Sequence, residues 1–175
     1  MATRPRRRLH WTPAAIPVGL LLMALGAWAF FVPLVGPYFN YGFFTSTTWV
    51  FSGVHWELLL GAGIAIFCGG LLLTVPSLGL GALGSLLAFA GGAWLLVGPS
   101  LYPLWTSTVN VHVLVPHTQG MRALLEIGYF YGTGALVMYL TGFGNGLLSR
   151  RTTVHDEPRI EETPVERDER IVTHA

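Results

Sequence analysis

The chain has 175 residues, of which 52% are apolar and only 11% are charged, and its formal net charge is +1. A soluble domain of this size carries about 25% charged residues, dispersed over its surface. Here the formal charges between residues 12 and 148 are Glu57, Arg122 and Glu126 alone. This distribution excludes an ordinary soluble fold and indicates that the apolar middle of the chain faces lipid. The single cysteine, Cys68, excludes an intramolecular disulfide and a CxxC redox pair.

Four apolar segments are long enough to cross a bilayer, whose hydrocarbon core of about 30 Å requires roughly 20 residues of helix. Backbone polar groups in lipid must be paired within their own segment, so these segments are expected to be helical. We therefore predict an all-α membrane protein with four transmembrane helices, at residues 13–35, 57–75, 78–97 and 123–148.

In chain order, the sequence predicts four parts. Residues 1–12 form a basic N-terminus, and residues 13–76 form a first helical hairpin around an outward aromatic loop, 36–56. Residues 77–148 form a second hairpin around an outward loop, 98–122. Residues 149–175 mix acids with arginines, contain two prolines and lack apolar periodicity, so they are expected to form a disordered cytoplasmic tail.

Arginines near the spans predict the orientation of the protein, because basic residues accumulate on the cytoplasmic side of a membrane. An even number of spans brings both ends of the chain to one side, and both ends are basic. The other side has one arginine, Arg122. We therefore expect a multi-pass protein of the cell membrane with both termini in the cytoplasm. The basic residues at the two ends are Arg4, Arg6, Arg7, Arg8, Arg150 and Arg151.

An internal repeat relates the two halves of the chain. The pattern G-A-W-x4-P-x3-P occurs twice at a constant offset of 66 residues. Each half is therefore expected to be one two-helix unit, and two parallel units imply a pseudo-twofold axis along the membrane normal. The prolines are expected to end the outward helices, and the tryptophans to lie near the interfacial aromatic belt. These residues are Trp28, Pro33 and Pro37 in the first half and Trp94, Pro99 and Pro103 in the second.

The second copy of this motif, Gly92-Ala93-Trp94-Leu95-Leu96-Val97-Gly98-Pro99, resembles the G-x-W-L-x-x-S-P core of the SPW-repeat membrane proteins. That resemblance implies a small bacterial or archaeal membrane protein built from paired two-helix units, and it implies no biochemical activity. The S-P-W tripeptide itself is replaced by Gly98-Pro99-Ser100 and, in the first half, by Val32-Pro33-Leu34.

Small residues recur every four positions in three of the spans, which allows helix backbones to approach closely in lipid. Two interpretations remain open: packing within the four-helix bundle, or an interface with a second copy or a membrane-protein partner. The stripes are Gly61, Ala65 and Gly69; Gly84, Ala88 and Gly92; and Gly128 with Gly132.

Histidines and glutamates near the outward loops form the one candidate metal site. Imidazole and carboxylate ligands suit zinc or copper, and two imidazoles suit haem iron. No HxxxH, HExxH or HxH spacing is present, so the ligands would have to converge from separate loops. The candidates are His55, Glu57, His112, His117 and Glu126.

A structural interpretation competes with metal binding for the glutamates. Glu57 and Glu126 are both expected to begin inward-running helices, where a negative charge is favoured by the helix dipole. Arg122 lies four residues before Glu126, which is ion-pair spacing on one helix face. Isolated histidines in loops are usually solvated.

The first outward loop is rich in aromatic residues from Tyr38 to Trp56. It is expected to anchor at the headgroup level, and a pocket for a lipid or quinone is the alternative. No ionisable residue lies near the middle of any span, which argues against a pump or an ion-coupled transporter. We predict no catalytic residue and no cofactor. The favoured function is that of a non-enzymatic structural, accessory or partner-binding membrane protein. Its partners are the bilayer and, where the small-residue stripes form an interface, a second copy or another membrane protein, and not nucleic acid. The alternatives are a metal- or haem-binding membrane redox protein that uses the outward histidines, and a lipid or quinone binder.

Overall fold

The computed structural model describes residues 15–42, 46–104 and 118–149, and in these ranges the regular structure is entirely helical. Four helical stretches are long and apolar enough to cross a membrane, as predicted. The basic N-terminus, His112, His117, Arg150, Arg151 and the acidic tail lie outside the described residues. The four candidate spans are Ala15–Phe39, Gly53–Thr74, Leu78–Leu104 and Gln119–Gly146, called here the first to fourth spans.

Each odd-numbered span is an α-helix that tightens into a 3₁₀ turn, and each even-numbered span contains one π-helical turn. The first span consists of the α-helix Ala15–Val35 and the 3₁₀ turn Gly36–Phe39. The third consists of Leu78–Leu101 and Tyr102–Leu104. The second span begins as the short helix Gly53–His55, passes through the π turn Trp56–Leu60 and continues as the α-helix Gly61–Thr74. The fourth consists of the α-helix Gln119–Glu126, the π turn Ile127–Tyr131 and the α-helix Gly132–Ser149.

The prolines do not end the helices at once, contrary to the expectation from the sequence. Pro33 and Pro99 both lie inside an α-helix, which continues for two more residues before the 3₁₀ turn begins. Proline near a helix end removes one hydrogen bond without breaking the remaining turn. The second proline of each motif, Pro37 or Pro103, then lies within the 3₁₀ turn.

The even-numbered spans begin earlier than predicted because hydroxyl side chains cap them. The Ser52 Oγ atom accepts a hydrogen bond from the His55 amide at 3.4 Å. The Thr118 Oγ1 atom accepts one from the Met121 amide at the same distance. A hydroxyl at this position satisfies an amide that lacks a partner within the helix.

The four spans pack as an antiparallel ring in which neighbours in sequence are neighbours in space, and the fourth span closes against the first. Glycines set the closest approaches within each hairpin. A Cβ atom on Gly26 would lie 2.8 Å from the Gly63 oxygen, and one on Gly134 would lie 2.8 Å from the Gly92 oxygen. The helices therefore touch through their backbones, which substitutes for the hydrophobic attraction that lipid does not provide.

The predicted small-residue stripes are partly at these contacts. Gly69, Gly84 and Ala88 meet where the second and third spans cross, and Gly92 lies against the fourth span. Gly61 and Gly132, however, lie against carbonyls of their own helices. The second span approaches the first through glycines that the four-residue spacing did not select, namely Gly63 and Gly70.

Candidate functional site at the distal end of the bundle

The candidate site lies at the distal end of the bundle, defined here as the end where the first and third spans finish and the second and fourth begin. The two π turns, Trp56–Leu60 and Ile127–Tyr131, lie there. In each, the glycine after the turn donates its amide to the first residue of the turn: Gly61 to the Trp56 oxygen and Gly132 to the Ile127 oxygen. An α-helix would direct that amide to the second residue of the turn. The carbonyls of those second residues, Glu57 and Gly128, therefore lose their usual donor.

Two tryptophans donate to these carbonyls, and the Thr133 hydroxyl also donates to that of Gly128, at 2.6 Å. The Trp28 indole Nε1 atom donates to the Gly128 oxygen at 3.2 Å. The Trp94 indole Nε1 atom donates to the Glu57 oxygen at 2.7 Å. Each tryptophan comes from one hairpin and each carbonyl from the other, so we name this pair of bonds the reciprocal tryptophan contact. In both bonds the donor is the tryptophan of a G-A-W motif and the acceptor is the second residue of a π turn.

A pair of stacked tyrosines adds a second connection between the first and fourth spans. The rings of Tyr41 and Tyr129 lie 5.3 Å apart at 25°. The Tyr129 hydroxyl lies 2.6 Å from the Tyr41 backbone oxygen and 3.1 Å from the Val32 oxygen, and the Tyr41 hydroxyl donates to the Leu124 oxygen at 3.4 Å. Burial raises the pKa of the Tyr41 hydroxyl above its usual value of 10.0, because desolvation favours the neutral form that donates the hydrogen bond.

An apolar groove of about 470 Å³ opens beside these residues along the distal end of the first span. Its outer wall is formed by large side chains that face away from the bundle: Phe31 is 51% exposed and Phe39 is 77% exposed. Its inner wall includes Trp28 and Tyr41, the residues tied to the fourth span. The complete lining is Trp28, Phe31, Val32, Val35, Gly36, Phe39 and Tyr41. Because these walls present almost no polar surface, the groove suits hydrocarbon.

Of the predicted metal ligands, His55, Glu57 and Glu126 lie in the described residues, and they do not form a group of three that could hold a metal ion. His55 is 2% exposed, and its Nδ1 atom lies 3.0 Å from the Ser52 Oγ atom, so it forms part of the helix cap. Glu57 is exposed on the surface of the bundle, and Glu126 is half-buried at the end of its α-helix. No group of three or more histidine, cysteine, aspartate or glutamate side chains that could hold a metal ion occurs in the described part of the chain. His112 and His117 lie outside it.

The expectation that the glutamates begin their helices is wrong. Those helices start at Gly53 and Gln119, so Glu57 and Glu126 lie one to two turns further along, and Ser52 and Thr118 provide the caps. Hydroxyl caps compete with an acidic first turn for the same free amides.

Trp28 and Trp94, which the repeat motif singled out, use their indole N–H groups to join the hairpins, and the sequence did not predict these bonds. The π turns and the Tyr41–Tyr129 pair were not predicted. The one sequence signal for the π turns is the glycine that follows each of them, Gly61 and Gly132, which had been interpreted as packing residues.

Comparison with known proteins gives no relative for this arrangement: no protein-family model, curated protein sequence or solved structure matches the chain.

Proposed function

We propose that this protein is a non-enzymatic structural or accessory component of the cell membrane, with both termini in the cytoplasm. The observation that carries the proposal is the reciprocal tryptophan contact. It fixes the two hairpins against each other at the distal end, which opposes the rocking of one helical unit against the other by which many transporters work. A bundle locked in this way is suited to presenting fixed helix faces to lipid and to partner proteins.

The buried polar groups support the same proposal, because those described here are used in local or interhelical hydrogen bonds. Ser85 donates to the Thr141 oxygen at 3.4 Å, which links the third and fourth spans. Thr133 donates to the Gly128 oxygen at 2.6 Å, and Thr141 donates to the Val137 oxygen at 3.0 Å. Intramembrane polar groups that serve proton or ion transfer are usually ionisable. Hydroxyls bonded to backbone carbonyls serve packing instead.

We also propose that the two hairpins are copies of one unit, as the sequence repeat and the SPW-like motif predict. Matching geometry supports this: both odd-numbered spans carry an internal proline followed by a 3₁₀ turn, and both even-numbered spans carry a π turn followed by a glycine. The glycine crossings correspond as well, since Gly26 packs on Gly63 in the first hairpin and Gly92 on Gly134 in the second.

The accessory role is tested by isolating the tagged full-length protein from native membranes in mild detergent. We expect a stoichiometric partner membrane protein or a defined homo-oligomer, no bound metal and no haem absorption band. A stoichiometric metal or a Soret band that disappears on replacing His55 and His112 would overturn the proposal in favour of a redox protein. Reporter fusions at the two ends test the orientation, and opposite locations would contradict it.

Binding of an apolar ligand is a second candidate function, favoured by the preformed groove beside Trp28 and Tyr41. Ligand pockets in proteins commonly measure about 300–1,000 Å³ and are lined mainly by apolar and aromatic side chains. A membrane lipid or a quinone that copurifies with the protein would support this candidate. Purified protein free of any such molecule after mild extraction would count against it.

A further inference from the structure

We propose that the distal groove holds one acyl chain of a membrane phospholipid, an inference that rests on the second candidate function. The groove runs along the end of a membrane-spanning helix, and its outer wall, Phe31 and Phe39, faces away from the bundle. In a bilayer, the medium on that side is lipid hydrocarbon. A phospholipid chain therefore reaches the groove without leaving its own solvent.

The chemistry of the walls favours an acyl chain over a quinone ring. A quinone presents two carbonyl oxygens, which need hydrogen-bond donors when they are buried. The donors that line the groove are the Trp28 indole and the Tyr41 hydroxyl, and both already donate to carbonyls of the fourth span, those of Gly128 and Leu124. The walls therefore offer hydrocarbon contact, which matches a saturated chain.

The groove is held open by contacts that do not involve its occupant. Trp28 is fixed by its bond to Gly128, and Tyr41 is fixed by stacking on Tyr129. A preformed site avoids the cost of ordering side chains when the ligand binds. The groove is consequently expected to retain one chain longer than the surrounding helix surface does.

Most lining residues of the groove differ between the first hairpin and the second. At the repeat offset of 66 residues, Phe31 corresponds to Val97 and Gly36 corresponds to Tyr102. Tyr102 is buried, and Val97 offers a smaller wall than phenylalanine. The groove is therefore built from residues specific to the first hairpin, as expected for a site added to a shared scaffold.

Photocrosslinking of the full-length protein tests the proposal. The protein is reconstituted into vesicles of phosphatidylcholine and phosphatidylglycerol that contain a trace of phospholipid with a diazirine on one acyl chain. After irradiation, adducts are located by peptide mass spectrometry. We expect adducts to concentrate between Phe31 and Tyr41. Even labelling of the lipid-facing surfaces of all four spans would overturn the groove as a site while leaving apolar-ligand binding elsewhere open.

A groove-filling variant and its matched control sharpen this test. Val35→Trp fills the groove and should reduce labelling of the first span to the level of the other spans. Leu101→Trp makes the same change at the corresponding position of the third span and should leave first-span labelling unchanged. If Val35→Trp does not fold, Phe31→Ala, which removes the outer wall, should lower the labelling, whereas the lipid-facing control Leu86→Ala should not.

Labelling that persists in a folded Val35→Trp variant, or in Phe31→Ala where Val35→Trp does not fold, would overturn the proposal. The identity of the occupant is tested by competition. An isoprenoid quinone added to the vesicles should leave the first-span adducts unchanged. Loss of the first-span adducts on addition of the quinone, with labelling of the other spans unchanged, would overturn the assignment to an acyl chain.

Discussion

The indole nitrogen of Trp94 lies 2.7 Å from the backbone oxygen of Glu57, and this bond joins the second hairpin to the first. The carbonyl is available because the π turn directs the Gly61 amide to Trp56 instead. In lipid, a carbonyl without a donor carries a desolvation cost that water cannot relieve. The π turn therefore leaves the carbonyl accessible and the tryptophan donates to it. The bond of Trp28 to Gly128 has the same arrangement.

Removing either indole donor should destabilise the bundle. We expect Trp94→Phe to lower the unfolding free energy by about 1 kcal/mol, the scale of one lost hydrogen bond within a membrane protein, and Trp28→Phe to lower it by less, because the Gly128 oxygen keeps its bond from Thr133. Trp56→Phe is the matched control, because Trp56 is half exposed and lies in the π turn without contributing its indole to the contact. Chemical unfolding in detergent, followed by circular dichroism, measures the difference. Equal stability of all three variants would contradict the proposed role.

A methyl group at the closest helix crossing should separate the first and second spans. We expect Gly26→Ala to destabilise the protein by about 1–3 kcal/mol, the usual range for overpacking, because the added Cβ would meet the backbone of the second span. Gly142→Ala is the control, since a Cβ there would have open space around it. The same unfolding assay applies. If Gly26→Ala proved as stable as the control, this result would contradict the close contact between Gly26 and the backbone of the second span.

The stability of the distal end should depend on the protonation of Tyr41. Because burial raises the folded-state pKa above 10.0, folding favours the neutral phenol. The stabilisation is fully present below pH 10 and is lost as the pH rises through the folded-state pKa. Unfolding free energies measured from pH 8 to pH 11.5 should therefore fall less steeply at the alkaline end for Tyr41→Phe than for the wild-type protein. Identical pH profiles for Tyr41→Phe and the wild-type protein would contradict this dependence.

Treatment with a chelator should leave the stability of the protein unchanged, because His55 functions in the helix cap. We expect His55→Ala to lower stability by about 1 kcal/mol through loss of its contact with Ser52. This loss should be the same with and without EDTA. An EDTA-dependent fall in the melting temperature of the wild-type protein that His55→Ala abolishes would instead indicate a metal ligand.

The four-span architecture could be predicted because lipid imposes a length and a composition on every span. The hydropathy of the chain therefore predicted the number of spans and their approximate bounds. The predicted starts of the second and fourth spans were less accurate. The observed starts depend on single hydroxyl side chains, those of Ser52 and Thr118, which resemble any other loop residue in the sequence.

The π turns and the side-chain hydrogen bonds at the distal end could not be predicted to the same degree. A π turn arises from one shifted amide, and the sequences Trp56–Leu60 and Ile127–Tyr131 share no pattern that would mark it. The partners of Trp28 and Tyr41 come from the fourth span, 100 and 83 residues further along the chain. Such pairings follow from three-dimensional packing, and a single sequence does not contain a local signal for them.

Hydrogen exchange of the indole N–H groups tests the reciprocal tryptophan contact most directly. In a ¹H–¹⁵N spectrum of the full-length protein in detergent micelles, variants Trp28→Phe and Trp94→Phe identify the two signals, and Trp56→Phe identifies the reference. We predict that the indole protons of Trp28 and Trp94 persist in D₂O well after that of the exposed Trp56 has exchanged. Exchange of all three at the same rate would contradict the contact between the hairpins.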